Sequence, residues 1–454
     1  MNKLIRNIAL VAGLAAATCA SAQNTYSGYF IDNYLYRSEM NPAFGNAENY
    51  VGFPGLGNLN AGMAGNLHLD NIFYNIDGRT CLFTNPGVSA AEVLDGIHDV
   101  NKLGVSTKID IINVGFKGLG GYNTVGISAR ADVRTHIPGS IFSLLKEGVE
   151  NKTYDIADFR ARGTAFAQIA LNHSHDIKAV PGLRVGGTLK VLIGGAQVDA
   201  RLDKARLELH DDTWNIVTDA TIETSMKGLS YTTSYNDDAR RDYVDGVEID
   251  GPGPNGFGLG FDLGAEYKWG DFTFSAAVLD LGFIHWNETR LAGTDGERMV
   301  QTSRYQFGAD SDTNDTEWDN LKNDLTALYQ LDDLGDTGGR TTALSATVNA
   351  GVNYALPAYR NLTFGLLNST YINGPYTSTE FRLSANVRPV KCLAASANLA
   401  AGTYGVGFGW LINLNLHKGF SFFVGMDHTM GKLAKQGVPL KSNAKFNLGI
   451  DFPF

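Results

Sequence analysis

Long hydrophobic runs are missing from most of this chain of 454 residues. After position 22 no stretch reaches the ~18 consecutive apolar residues that a transmembrane helix needs, so any membrane span must be built from strands. Cysteine is scarce, with three in all. Cys81 and Cys392 lie far apart, and spacing alone leaves open whether they pair. Basic residues are outnumbered, 37 Lys and Arg against 47 Asp and Glu, and the net charge of -10 argues against nucleic acid as a partner. Neither Gly-x-Ser-x-Gly nor another serine or cysteine in a nucleophile setting occurs, so no enzyme activity, catalytic residue or cofactor-binding residue is expected.

What is present begins at the N-terminus. Lys3 and Arg6 precede an apolar run from Ile8 to Ala17, and Ala20-Ser21-Ala22 supplies small residues before Gln23. This is the pattern of a secretory signal peptide over 1–22, cut after Ala22. Thr18 and the lack of a Leu-Ala-Gly lead-in turn Cys19 away from a lipoprotein reading.

The rest of the chain alternates. Phe446, Leu448, Ile450, Phe452 and Phe454 alternate with Asn447, Gly449, Asp451 and Pro453. A period of two is the signature of a strand, and ten residues suffice for a tilted strand to cross a hydrocarbon core. The same pattern recurs in Phe257 to Lys268, Val406 to Leu416, Leu344 to Tyr354 and Val125 to Arg134, with Leu411 the one exception. The polar positions are Gly, Ser and Asn more than Lys and Glu, unlike the wet face of a soluble sandwich. A mean hydropathy of -0.12 and 53 glycines fit strands that are only half apolar.

Spanning strands are expected near 58–69, 103–116, 121–134, 159–175, 183–198, 257–268, 271–284, 341–355, 361–372, 379–388, 393–401, 405–416, 419–428 and 443–454. That is about fourteen (12–16), and single-chain bacterial barrels have an even number. The fold class is thus an all-β, transmembrane antiparallel β-barrel over 58–454. Parity puts tight turns such as Trp269-Gly270 and Leu356 to Arg360 at one end, and the long connections 70–102, 135–158, 199–256, 285–340 and 429–442 at the other. Helices are expected over Ser89 to Asn101, with a Ser89/Glu92 capping box, and over Ser140 to Val149. Leu202 to Met226 reads as a hairpin outside the wall.

The stretch 23–57 alternates poorly and carries Asn41-Pro42-Ala43-Phe44, then Gly52-Phe53-Pro54-Gly55-Leu56. It resembles the N-terminal part of the long-chain fatty-acid transporter-like outer-membrane barrels, and more closely an uncharacterised family within that class. Val278-Leu279-Asp280-Leu281-Gly282-Phe283 resembles an Asp-Leu-Gly element that lies near a strand end in that class. The terminal aromatic strand, Phe446, Leu448, Ile450, Phe452 and Phe454, resembles the membrane-insertion signal read by the barrel assembly machinery. The resemblance implies a plug or gate formed by Asn41, Pro42, Ala43 and Phe44, removable without unfolding the barrel. It also implies the outer membrane of a Gram-negative bacterium, with its lipid and a small hydrophobic ligand as partners.

Inward parity marks Arg130, Arg134, Arg160, Arg162, Asp262, Glu266 and Arg382 as lumen charges, with Asp32 or Glu39 as anchors for the plug on the arginines. His173 and His175 share a strand face but lack a third metal ligand, and Asp310-x-Asp312-x-Asn314 matches a calcium loop only at its start. The function expected is a channel or transporter for a small hydrophobic or amphipathic solute. The alternatives are a non-transporting binding or secretion-associated barrel that uses its outer loops, and a soluble exported β-protein.

Overall fold

The computed structural model describes residues 25–148, 150–210, 213–236, 241–305, 311–416, 419–428 and 443–454. The signal-peptide reading and the loop 429–442 lie outside them. Period-two alternation becomes a closed, antiparallel, fourteen-stranded barrel. Its strands are β1 (Tyr50–Gly52 and Leu59–Gly65), β2 (Val100–Gly118), β3 (Gly121–Pro138), β4 (Arg160–Asp176), β5 (Leu183–Leu209), β6 (Gly256–Trp269) and β7 (Phe272–Trp286). They continue as β8 (Ala346–Ala355), β9 (Leu362–Ile372), β10 (Ser378–Val390), β11 (Leu393–Gly402), β12 (Gly405–Asn415), β13 (Ser421–Asp427) and β14 (Ala444–Pro453). Neighbours in sequence pair throughout, and β14 closes the ring on both pieces of β1.

Outward positions are apolar and exposed, for example Phe257, Phe261, Leu263, Leu383, Leu399 and Val406, as a wall bathed in hydrocarbon requires. On β14 Lys445, Asn447, Gly449 and Asp451 face in, and the five apolar residues of the terminal motif face out. The turns 119–120, 177–182, 270–271, 356–361 and 391–392 share one end, the short-turn end.

The other end carries a folded cap. β5 runs on past the wall to Leu209 and pairs there with Trp214–Met226, the expected hairpin. Arg290–Gly293, Arg298–Gln301 and Asp332–Asp336 extend that sheet. Tyr154, Leu209, Ile216, Val300, Leu321 and Leu328 form an apolar core beneath it, with Leu144 alongside.

Three expectations need correction. The wall begins at Tyr50 rather than 58, since Tyr50–Gly52 pairs with β14 and β2, and Phe53-Pro54-Gly55-Leu56 lies in the loop between the two pieces of β1. The helix begun by Ser89, whose Oγ accepts from the Glu92 N–H, spans only Ala90–Leu94 because Asn101 already belongs to β2. Asp280 lies in the middle of β7, at a register shift opposite Phe261 to Leu263 and with φ of 58°, not near a strand end. Asp312 and Asn314, from the partial match to a calcium loop, fall in the helix Ser311–Ala327; Asp310 is outside the described residues. Cys81 and Cys392 are both free.

Candidate functional site

Residues 25–49 do not follow the wall. They cross the lumen in its short-turn half, and Tyr26, Tyr29, Phe30, Ile31, Tyr34, Leu35, Tyr36, Met40 and Phe44 form the apolar core of the barrel with Tyr50, Tyr122, Leu411 and Phe423. This explains Leu411, the exception in its strand: it points inward because a greasy segment meets it there.

Asn41, Pro42, Ala43 and Phe44 are buried against the wall. Asn41 Nδ2 donates to the carbonyls of Ala265 and Ala276 at 3.1 and 3.3 Å. Asn172 Nδ2 donates to Pro42 O at 3.2 Å, and Arg184 Nε to Ala43 O at 2.8 Å. Gly186 and Gly264 make this approach possible, since a Cβ on either would collide with the Asn41 to Ala43 segment. Inward glycines are therefore the seat of the segment.

The remaining ties use polar wall residues. Asn349 and Asn413 donate to the carbonyls of Met40 and Asn33 at 2.9 and 3.0 Å. Tyr34 donates to Asn447 at 3.2 Å and Tyr36 to Asp451 at 2.6 Å. Burial holds both phenols well above their ordinary titration range and pushes Tyr26 up to about 12, so they stay neutral donors. At the far end of the segment Tyr26 N–H donates to Asp427 at 2.9 Å, and Ser27 Oγ bonds the same carboxylate.

The lumen charges do not anchor the segment as expected. Glu39 pairs with Lys108 and accepts from Asn58, while Asp32 pairs within the segment to Arg37. Arg37 lies 3.8 Å from Glu266 and stacks over Phe44 at 4.1 Å. Arg160 is not in the lumen; it is exposed and pairs with Asp158 beyond the wall. Nine large apolar side chains of the segment are buried in this cluster, so it packs as part of the barrel's core.

Above the segment, in the long-loop half, the lumen is held by ion pairs. Arg130 grips Asp280 through both nitrogens at 2.9 Å, and Lys190 bridges Asp262 and Asp280 at 2.7 and 2.6 Å. The bulge at Asp280 turns its N–H to Asp262 at 2.7 Å and its carboxylate to the lumen. Arg134 pairs with Asp132 at 2.8 Å, Arg162 with Asp199 at 2.8 Å, and Arg382 with Glu380 and Asp427 at 2.5 and 3.0 Å. Sequence reasoning missed Lys108, Lys190 and Asp280. The two lysines were legible as charges at inward parity inside otherwise apolar strands.

Three cavities remain between these groups. One is lined by Arg130, Arg134, Arg162, Gln197 and Tyr371, one by Glu39, Lys108, Lys190, Asp280 and Tyr371, and one at the mouth by Tyr371, Glu380, Tyr404 and Lys445. They meet at Tyr371. His173 and His175 lie on the opposite strand face from the buried Asn172 and Ser174, with 3.2 Å between ring nitrogens. Among the described residues no group of three metal-ligating side chains gathers.

The pattern of a family described as "Family of unknown function (DUF5723)" matches residues 42–427. No curated protein sequence matches the chain. Among solved structures it is similar to the Pseudomonas putida toluene transporter TodX, with 9% identity, coverage of 96% of this chain and 95% of that one, and a TM-score of 0.41. The Ralstonia pickettii toluene transporter TbuX is similar at 8%, 92%, 93% and 0.44. A Pseudomonas aeruginosa FadL homologue is similar at 9%, 96%, 99% and 0.43.

Proposed function

We propose, from the premise that this chain belongs to the DUF5723 family of unknown function, that it is an outer-membrane channel for a small polar or amphipathic solute. Its N-terminal segment closes the short-turn half of the lumen. The observation that carries this reading is the string of cavities that runs from Tyr404 and Lys445 at the mouth to Glu39 on the segment. A barrel serving only as an anchor would gain stability by filling that space with apolar side chains. The lining also bears on the solute: a wholly apolar one would have to desolvate the paired Arg130, Lys190 and Asp280, which costs several kcal/mol per ion. The apolar outer wall supports placement in a bilayer, and in a Gram-negative envelope the short turns would face the periplasm.

A second reading, a non-transporting barrel that binds or assembles partners through its loops, draws on the cap having an apolar core of its own. Conductance separates the two. A Cβ on Gly409 would lie 2.7 Å from Ser27 Oγ, so Ser27→Cys with Gly409→Cys can form a disulfide that locks the segment to the wall. In planar bilayers the oxidised variant should be silent, and reduction should restore stepwise openings. Silence in both states and in the wild type would favour docking.

A further inference from the structure

Gln197 sits on β5 opposite Thr164 of β4, where β5 leaves the wall for the cap. Its side chain is 1% exposed and lines the first cavity, yet neither its amide nitrogen nor its amide oxygen has a hydrogen-bonding partner. Buried polar groups are almost always satisfied, so an amide with both ends vacant at the border of a cavity, one side-chain rotation from it, marks a place for a ligand or for water. In the adjoining cavity Asn172 Oδ1 is vacant as well.

We infer that the cavity around Gln197 binds a neutral polyhydroxylated solute the size of a monosaccharide. Charge excludes the simpler choices. Arg130, Arg134 and Arg162 each already hold a carboxylate, on Asp280, Asp132 and Asp199, so an anion or a cation would leave one charge uncompensated in a confined space. An amide vacant at both ends instead matches a hydroxyl, which donates and accepts at once. Guanidinium and carboxylate edges fixed in pairs still offer hydrogen bonds to vicinal hydroxyls, and Phe166, Ile284 and Leu344 supply an apolar side for ring C–H groups. The cavity of 70 Å³ adjoins the second, of 90 Å³, and Arg130, Asp280 and Tyr371 line both. Since about 10–15 Å³ holds one water, the two together have room for a sugar ring with its hydroxyls.

The inference relies on the channel reading only for how the solute arrives, so binding is tested apart from flux. The full-length protein in detergent is examined by saturation-transfer-difference NMR with D-glucose, D-galactose and N-acetylglucosamine, and with acetate and glycine betaine as charged and zwitterionic controls. At least one sugar should receive saturation and the controls should not. Gln197→Leu and Thr164→Val, checked for heat-modifiable mobility, should weaken the signal roughly ten-fold for each hydrogen bond lost. Two folding-competent variants that bind as the wild type does would overturn the site, as would saturation of acetate alone or of no probe, which would leave water as the occupant. Sugar binding without conductance would sink the channel and keep the site; conductance without sugar binding would do the reverse.

Discussion

The two halves of the lumen solve one problem in opposite ways. A closed wall of fourteen strands leaves an interior that eight strands would fill with their own side chains. In the short-turn half the chain fills it with a second piece of itself, rich in tyrosine, whose backbone carbonyls are met by wall asparagines and Arg184. In the long-loop half it leaves gaps and braces them with Arg130, Lys190, Asp262 and Asp280. The first half is a core, and its polar groups serve burial. The second is a set of buried charges, whose mutual satisfaction adds little net stability but makes loss of one partner costly.

The largest effect is expected at the segment itself. Deleting residues 25–49 removes nine large buried side chains, on the order of 15–25 kcal/mol as an upper bound, more than the ~5–15 kcal/mol by which domains are stable. The deletion variant should fail to give a heat-modifiable barrel on gels. A variant that folds and melts within a few degrees of the wild type would return the segment to the role of a removable gate. In the braced half Asp280→Asn should cost about 3–5 kcal/mol in urea unfolding, because Arg130 and Lys190 lose a shared partner. Arg130→Met with Asp280→Asn should recover most of it, since Asp262 still balances Lys190 and Asn tolerates the positive φ at 280; no recovery would mean that the charges do more than compensate one another. The smallest effect is expected from Tyr36→Phe, about 1.5–3 kcal/mol for a hydrogen bond to Asp451. An effect as large as that of Asp280→Asn would erase the distinction between the halves.

The wall was legible because period two survives any register, and the fourteen strands fall where alternation places them. Its failures are informative. β1 escapes notice over Tyr50–Gly52 because three residues carry no period and an outward loop follows. The helix Ser311–Ala327 was hidden by its acidic first turns, although Leu321, Leu325 and Leu328 repeat at helical spacing. Parity tells which charges face inward but not whom they meet: Arg130 and Asp280 lie 150 residues apart, and only barrel closure and the bulge at Asp280 join them. For the same reason the Gln197 vacancy could not be read from sequence, being a property of its surroundings.

Two of the segment's ties join the extreme ends of the chain. Tyr26 bonds Asp427 across 401 residues, and Tyr36 bonds Asp451 across 415, while β1, which follows the segment directly, is the strand on which β14 closes. A wall closed first would have to admit nine bulky side chains through a lumen whose other half is braced. The order most consistent with this geometry is the reverse: the segment serves as a mandrel, the strands are laid around it, and the seam between first and last is sealed over a filled interior. Because contacts so distant in sequence form slowly, that sealing step should set the pace of assembly.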